Sequence, residues 1–302
     1  MKIIFFGTPE FAVPSLKMLV HTKGIEIVSV VTQPDKAIGR KQVITPPPVK
    51  KTALELGIEV IQPKTSKRLL ESLKNVQVDF FVVIAYGMII PEELLKTPRY
   101  GCVNVHASLL PKYRGASPIH ESLLNGDKET GISIIKLDKE LDHGDIFFIK
   151  RIKIEEKDTF PFLNNKLSET SSFILPLVLN DIMTGKLPPI PQNHKNATFC
   201  RKIEKDEGKI NWTEKTAENI KNMIRAYTPW PSVYTTINNK TIKILEADTA
   251  EENITPGKFL VENNTVKIGT KKGCLIPKVI QVEGKKPMDI KSFLNGYRQI
   301  LK

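Results

Sequence analysis

The sequence predicts an α/β chain: a mostly parallel sheet alternating with helices, then a proline-rich joint, then a smaller β-barrel domain. Three observations carry this. Residues 1–150 alternate short apolar runs with stretches of helical spacing. One run, Val78–Ala85 (VDFFVVIA), is almost wholly apolar, as a parallel strand covered on both faces must be. Beyond residue 232 the apolar residues fall into short alternating segments separated by turn residues, the pattern of a small barrel or sandwich.

In chain order, Lys2–Phe6 is the first strand, ending at Gly7. Phe11, Leu16, Leu19 and Val20 recur at helical spacing, so a helix covers 11–20. Glu26–Thr32 is strand-like, Val49–Leu56 helical, Glu59–Ile61 a short strand and Lys67–Leu73 a helix. After Val78–Ala85, the strands Cys102–Val105 and Ile132–Leu137 continue the alternation. Strands joined through helices need right-handed crossovers, so the sheet is Rossmann-like, with its site beyond the carboxyl ends of the strands. Near residue 187 the chain turns proline-rich and polar (LPPIPQNHK), which reads as an extended linker. The expected domains are 1–187, a linker over 188–205, and an OB-like barrel over 206–302. In the last, Ile220, Met223, Ile224 and Tyr227 mark a helix that Thr213 or Thr216 caps. Strands follow at 232–237, 241–246, 258–261, 265–268 and 275–282, with turns at Asn238-Asn239 and Asn263-Asn264 and a closing helix over Asp289–Leu294.

Composition narrows the function classes. The 302 residues carry a net charge of +12, of which +8 falls after residue 189. A polyanionic partner fits such a balance, as does a lysine-rich soluble surface. No apolar run approaches the roughly 20 residues of a membrane helix, and the N-terminus lacks a signal-peptide pattern. The three cysteines form no CxxC pair and the five histidines no HExxH, so neither a disulfide framework nor a metal site is expected, and a cytoplasmic location fits. The first strand leads into Gly7-Thr8-Pro9-Glu10-Phe11, with one glycine where dinucleotide binding needs GxGxxG, so no NAD is expected.

The chemistry concentrates at 103–116, VNVHASLLPKYRGA. Period-two alternation puts Asn104 and His106 on one face at a carboxyl strand end. Leu141-Asp142-His143-Gly144-Asp145 follows another strand and brings carboxylates to the same edge. By themselves Asn104 and His106 also fit a simple turn cap, and the acids an ordinary loop. The segment 36–51 holds Lys36, Arg40, Lys41, Lys50 and Lys51 without an acid, which suits phosphate binding or a solvated loop.

The run NVHASLLPKYRGASPI, with NxHxSLLP at its heart, resembles the signature of the formyltransferases that use 10-formyltetrahydrofolate. LDHGD at 141–145 resembles the family's LDxGD loop. Ala107 stands where glycine or proline is frequent, and His143 where threonine is common. The opening IFFGTPEFAVP, VTQPD at 31–35 with Gly39-Arg40, AYG at 85–87, RAYTPWP at 225–231 and FLNGY at 293–297 resemble the branch that formylates initiator methionyl-tRNA.

The resemblance implies formyl transfer from 10-formyltetrahydrofolate to the α-amino group of methionine on that tRNA, in translation initiation. It implies Asn104, His106 and Asp142 as the catalytic set, with Asp142 either a base or the group that orients His106. Ser108, Leu109, Leu110 and Pro111 would border the folate, with Tyr86, Gly87 and Ile89 on its pterin. Lys36, Arg40, Lys41, Lys50 and Lys51, with Arg201 and Lys202 near the linker, would meet tRNA. No metal, no membrane and a monomer are expected. Sugar-nucleotide formyl transfer, folate hydrolysis and non-catalytic RNA binding are the alternatives.

Overall fold

The computed structural model describes residues 1–39 and 41–301, so Arg40 lies outside the described residues. The chain divides into two compact units. The first comprises Met1–Gly115, Glu129–Lys153 and Asn164–Cys200, and the second Ala116–Lys128, Ile154–Leu163 and Arg201–Lys302.

The first unit is built on a mixed sheet. Its strands are β1 (Lys2–Gly7), β2 (Glu26–Val31), β5 (Val60–Ile61), β6 (Phe80–Ile84), β7 (Cys102–His106), β9 (Glu129–Lys136) and β10 (Ile146–Lys153). Two short hairpin strands, β3 (Lys36–Ile38) and β4 (Val43–Thr45), precede β5, and β8 (Arg114–Gly115) follows β7. The order across the sheet is β10-β9-β7-β6-β1-β2-β5. The five strands β5, β2, β1, β6 and β7 are parallel. Strand β9 runs antiparallel to both its neighbours, β7 and β10, a departure from the uniform pattern that leaves β10 running in the direction of the five.

The central strands are buried throughout, as their composition predicts. Phe6 packs on Phe81 at 5.2 Å between ring centroids and meets Tyr86 edge-on at 5.4 Å. Helices α1 (Val13–His21), α2 (Pro48–Glu55) and α3 (Ser66–Leu73) fall where the spacing predicts them. Thr65 caps α3 by accepting from the Arg68 N–H. Helix α4 (Glu92–Leu95) is a single turn, while α5 (Pro118–Leu124) belongs to the second unit. Helix α6 (Phe160–Met183) is the longest among the described residues, and it is not among the expected elements. Its Ser168 hydroxyl donates to the Phe11 carbonyl at 2.6 Å, so a polar face of this helix is buried.

The proline-rich segment is extended and bonded along the first unit. Ile190 and Ile146 exchange backbone hydrogen bonds at 2.8 and 2.9 Å. The short strand β11 (Phe199–Cys200) pairs in parallel with β8.

The second unit holds α5, α7 (Ala217–Tyr227) and an antiparallel sheet. Its strands are β12 (Val233–Ile237), β13 (Lys240–Ala250), β14 (Phe259–Glu262), β15 (Thr265–Gly269), β16 (Cys274–Val282) and β17 (Met288–Asp289). The order is β12-β13-β16-β15-β14, with β17 on β16. Both Asn-Asn pairs turn hairpins with positive φ at each residue, as a tight hairpin turn demands. Thr216 caps α7 through the Asn219 N–H, and Asp289 caps α8 (Ile290–Tyr297) through the Ser292 N–H. Arg225 of the RAYTPWP run donates to the carbonyls of Asp158 at 2.9 Å and Glu155 at 3.0 Å, an architectural role inside this unit. His120 stacks on Phe160 at 3.9 Å, and burial pushes its pKa from 6.5 down to about 4, against the raising effect of Glu207. Among the described residues no helix is long and apolar enough to cross a membrane.

Candidate functional site

Strand β7 is flanked by β6 and β9, so its side chains are held from both sides. Asn104 and His106 emerge at its carboxyl end, both buried. The turn that follows is tied by Ser133 of β9, whose hydroxyl donates to the Ser108 carbonyl at 2.7 Å and accepts from the Leu110 N–H at 3.0 Å. Ser108 is itself buried and donates to the Lys112 carbonyl at 2.6 Å. The Leu110–Pro111 peptide is cis.

Asp142 comes from the loop between β9 and β10. Its φ is +48°, a left-handed conformation that a non-glycine residue adopts only under constraint. The loop is closed by the Lys136 N–H donating to the Asp145 carbonyl at 2.8 Å. Gly144 permits that closure, because a Cβ there would sit 1.7 Å from the Lys136 carbonyl oxygen. The Asp142 carboxylate therefore reaches the β7 cluster. One oxygen accepts from the Gly115 N–H at 2.8 Å and lies 3.5 Å from His106 Nδ1. The other lies 3.5 Å from Asn104 Nδ2.

The tautomer of His106 follows from its partner. Nε2 lies 2.9 Å from the Tyr113 carbonyl, which can only accept, so Nε2 carries a proton. Nδ1 is then the nitrogen that faces Asp142. A proton on Nδ1 makes that contact an ion pair; without it two lone pairs face each other. The structure thus brings together all three residues of the predicted catalytic set.

The predicted folate border divides in character. Tyr86 is a core residue on Phe6, its hydroxyl 3.7 Å from Met88 Sδ, and burial raises its pKa to about 12. Its carbonyl accepts from Thr8 Oγ1 at 2.8 Å and from Gln33 Nε2 at 3.1 Å. Gln33 also donates to the Gly87 carbonyl at 2.8 Å. Ile89 is 82% exposed, which leaves an apolar side chain open just beyond β6. Leu110 is buried and Leu109 half-buried.

The basic candidates also differ from one another. Lys50 donates to both oxygens of Asp35 at 2.8 Å, and with Gln62 it holds that carboxyl below its usual range. Lys36 is exposed and donates to Gln33 Oε1 at 2.5 Å. Lys41 and Lys51 are exposed. In the second unit Arg201 pairs with Glu207 at 3.1 Å, and Lys202 is exposed. Among the described residues no group of three or more His, Cys, Asp or Glu could hold a metal ion.

Two neighbours of the cluster are not among the expected site residues, although Arg114 stands in the NVHASLLPKYRGASPI run. Gln192, in the proline-rich segment, donates to the carbonyls of Asp142 at 2.9 Å and Gly144 at 2.7 Å. Its Oε1 accepts from Arg114 Nε at 3.2 Å and Nη2 at 2.7 Å. Arg114 Nη2 also donates to His194 Nδ1 at 2.8 Å, and the His194 ring stacks on His143 at 4.0 Å.

Comparison with known proteins agrees with this architecture. Residues 1–179 match the formyl transferase family, and residues 202–298 match the formyl transferase C-terminal domain. The chain is 47% identical over 301 residues to a methionyl-tRNA formyltransferase of Listeria monocytogenes serotype 4a (strain HCC23), covering 98% of this chain and 95% of that one. It is 42% identical over 305 residues to the methionyl-tRNA formyltransferase of Sulfurihydrogenibium sp. (strain YO3AOP1), covering 99% and 97%. The fold is shared with WlaRD, a sugar 3N-formyl transferase crystallised with dTDP and 5-N-formyl-THF, at a TM-score of 0.69 and 24% identity over 95% of this chain and 99% of that one. That likeness is one of fold alone, whereas the full-length identities reach further: the chain belongs to the formyl transferase family, among the methionyl-tRNA formyltransferases.

Proposed function

We propose that the protein transfers the formyl group of 10-formyltetrahydrofolate to the α-amino group of methionine on initiator methionyl-tRNA. The observation that carries this reading is the convergence of Asn104, His106 and Asp142 at one carboxyl strand end, in a chain of this family.

The folate supplies an activated one-carbon unit when bound. The residues present fit it. The loop after β6 has left-handed backbone at Ala85 and Gly87, and it carries the exposed Ile89. A Cβ at Gly87 would lie 2.6 Å from Gln33 Nε2, so this loop is shaped by its partner. Residues 108–111 border the same edge, since β6 and β7 are paired neighbours. An apolar slot with backbone polar groups at its rim suits a pterin.

The chain's own groups then divide the work. Asn104 Nδ2 donates to the formyl oxygen as negative charge grows on it. Asp142 accepts the proton that the attacking amine loses as the new C–N bond forms, and His106 Nδ1 shares it through its 3.5 Å contact. The proton passes to N10 as the C–N10 bond breaks, so that tetrahydrofolate leaves carrying an N10–H. An α-amine has a reference pKa of about 7.7–8.0, so a useful fraction is neutral near pH 7 and no enzyme nucleophile is needed. Holding amine and formyl carbon together supplies much of the acceleration.

Residues 1–187 form the catalytic part in this reading, joined by 188–205 to a tRNA-binding part at 206–302. Lys36, Arg40, Lys41, Lys51 and Lys202 attract the phosphates of the acceptor. The enzyme acts as a monomer in the cytoplasm. Product analysis tests the function: labelled 10-formyltetrahydrofolate is offered with methionyl initiator tRNA, uncharged tRNA, an amino-sugar nucleotide or no acceptor. Label on methionine supports the reading. Label on the sugar, or formate released without an acceptor, rejects it.

A further inference from the structure

Gln192 is 5% exposed and Arg114 4%, and their bonds form a closed circuit around Asp142. The orientation of the amide is set by chemistry. A guanidinium only donates, so the Gln192 atom facing it is the oxygen, and the NH2 group must face the carbonyls of Asp142 and Gly144. Those two carbonyls flank His143, so one side chain grips the loop at two points just past the left-handed φ of Asp142. The circuit closes through the main chain: Gly115, next to Arg114, donates its N–H to the Asp142 carboxylate. The backbone of Asp142 is thus held by the Arg114 side chain through Gln192, and its carboxylate by the peptide that follows Arg114.

We propose that Gln192, oriented by Arg114, is a positioning residue for formyl transfer: it fixes the strained backbone of Asp142 and so the placement of its carboxylate. The proposal rests on the reading of Asp142 as proton acceptor. Three features support it. The φ of +48° at Asp142 needs external support to persist. Every hydrogen-bonding group of the buried amide is used, which leaves Gln192 little freedom to shift. Arg114 is buried against an amide oxygen and an imidazole nitrogen rather than a carboxylate, an arrangement that serves orientation rather than charge neutralisation. His194 Nδ1 accepts from Arg114, and its ring lies flat on His143.

The test is a double-mutant cycle read by single-turnover transfer, with folate affinity and the KM for methionyl-tRNA measured alongside. Gln192→Leu should slow transfer by roughly 10–100-fold, the scale of a small misplacement of a reacting group, with both binding constants within about twofold of wild type. In an Asp142→Asn background the same change should cost less than about twofold more, because the carboxylate it places is already gone. Where Gln192→Leu fails to fold, Gln192→Glu repeats the cycle; it keeps an oxygen toward Arg114 but replaces the two donations with a carboxylate oxygen that repels the two carbonyls. An unimpaired Gln192 variant beside an impaired Asp142→Asn overturns the brace alone, as does an equal loss in both backgrounds. A wild-type rate in Asp142→Asn by itself overturns the reading of Asp142 and the brace with it.

Discussion

His106 gives its Nε2 proton to the Tyr113 carbonyl at 2.9 Å, and this decides which nitrogen takes part in transfer. Nδ1 is left facing Asp142 Oδ2 at 3.5 Å. The two nitrogens can be separated by substitution. His106→Gln keeps a donor near the Nε2 position but nothing near Nδ1, and turnover should fall by roughly 10²–10⁴. His106→Asn keeps a polar atom near Nδ1 and should retain more activity than His106→Gln. Steady-state rates of the two purified variants check this; a reversed order would assign the work to Nε2.

Gly115 makes two demands that another residue cannot meet together. Its φ is +120°, and a Cβ would lie 2.1 Å from the Cys200 carbonyl oxygen. Its N–H also holds the Asp142 carboxylate. Gly115→Ala should destabilise the protein by about 1–3 kcal/mol or more and lower turnover with it. Urea unfolding and the rate on methionyl-tRNA are measured on the same preparation. Unchanged stability would mean that the β8–β11 contact is not as tight as described.

His120 makes stability depend on acid. The unfolded chain takes up a proton near pH 6.5 that the folded protein refuses until about pH 4. The contribution is full above pH 6.5, falls as the pH drops from 6.5 toward 4, and is flat below that. At 1.36 kcal/mol per unit, the swing is about 3 kcal/mol. His120→Phe keeps a ring on Phe160 and removes the titration, so the gap in unfolding free energy between pH 7 and pH 4.5 should narrow. An identical gap in both proteins rejects the assignment.

Lysines of the basic segment should separate into two kinds. Lys41 and Lys51 are exposed, and replacing either by Gln should weaken tRNA binding and lower the slope of log affinity against log salt by about 0.7–0.9. Lys50 is held by Asp35, so Lys50→Gln should leave the slope close to wild type. Binding titrations over a salt series distinguish them; a slope change in Lys50→Gln equal to that of Lys41→Gln would contradict the division.

Much of the first sheet was legible because burial on both faces leaves a continuous apolar run, as at Phe80–Ile84. Helix α6 was not. Its buried face mixes Ser168, Ser171 and Ser172 with Leu163, Leu167, Leu175, Val178 and Leu179, while Phe162, Phe173 and Leu177 are exposed, so the apolar stripe is blurred. The reversed direction of β9 was also hidden, since alternation of side chains is the same in parallel and antiparallel strands. The spacing of Asn104 and His106, two apart at a strand end, also fits a turn cap, and it is the resemblance of the NxHxSLLP run that marks them. Nothing marks Gln192, because its partners stand 50 and 78 residues away and its neighbours read only as a linker. The separate fates of Lys41 and Lys50 likewise depend on Asp35, whose pairing no local pattern reveals.

The most direct test of the transfer site is Asp142→Asn, which keeps the shape of the side chain and removes its capacity to take a proton. Single-turnover transfer from bound 10-formyltetrahydrofolate to methionyl initiator tRNA should slow by roughly 10²–10⁴ while folate affinity stays close to wild type. Transfer at the wild-type rate in the folded variant would contradict the account.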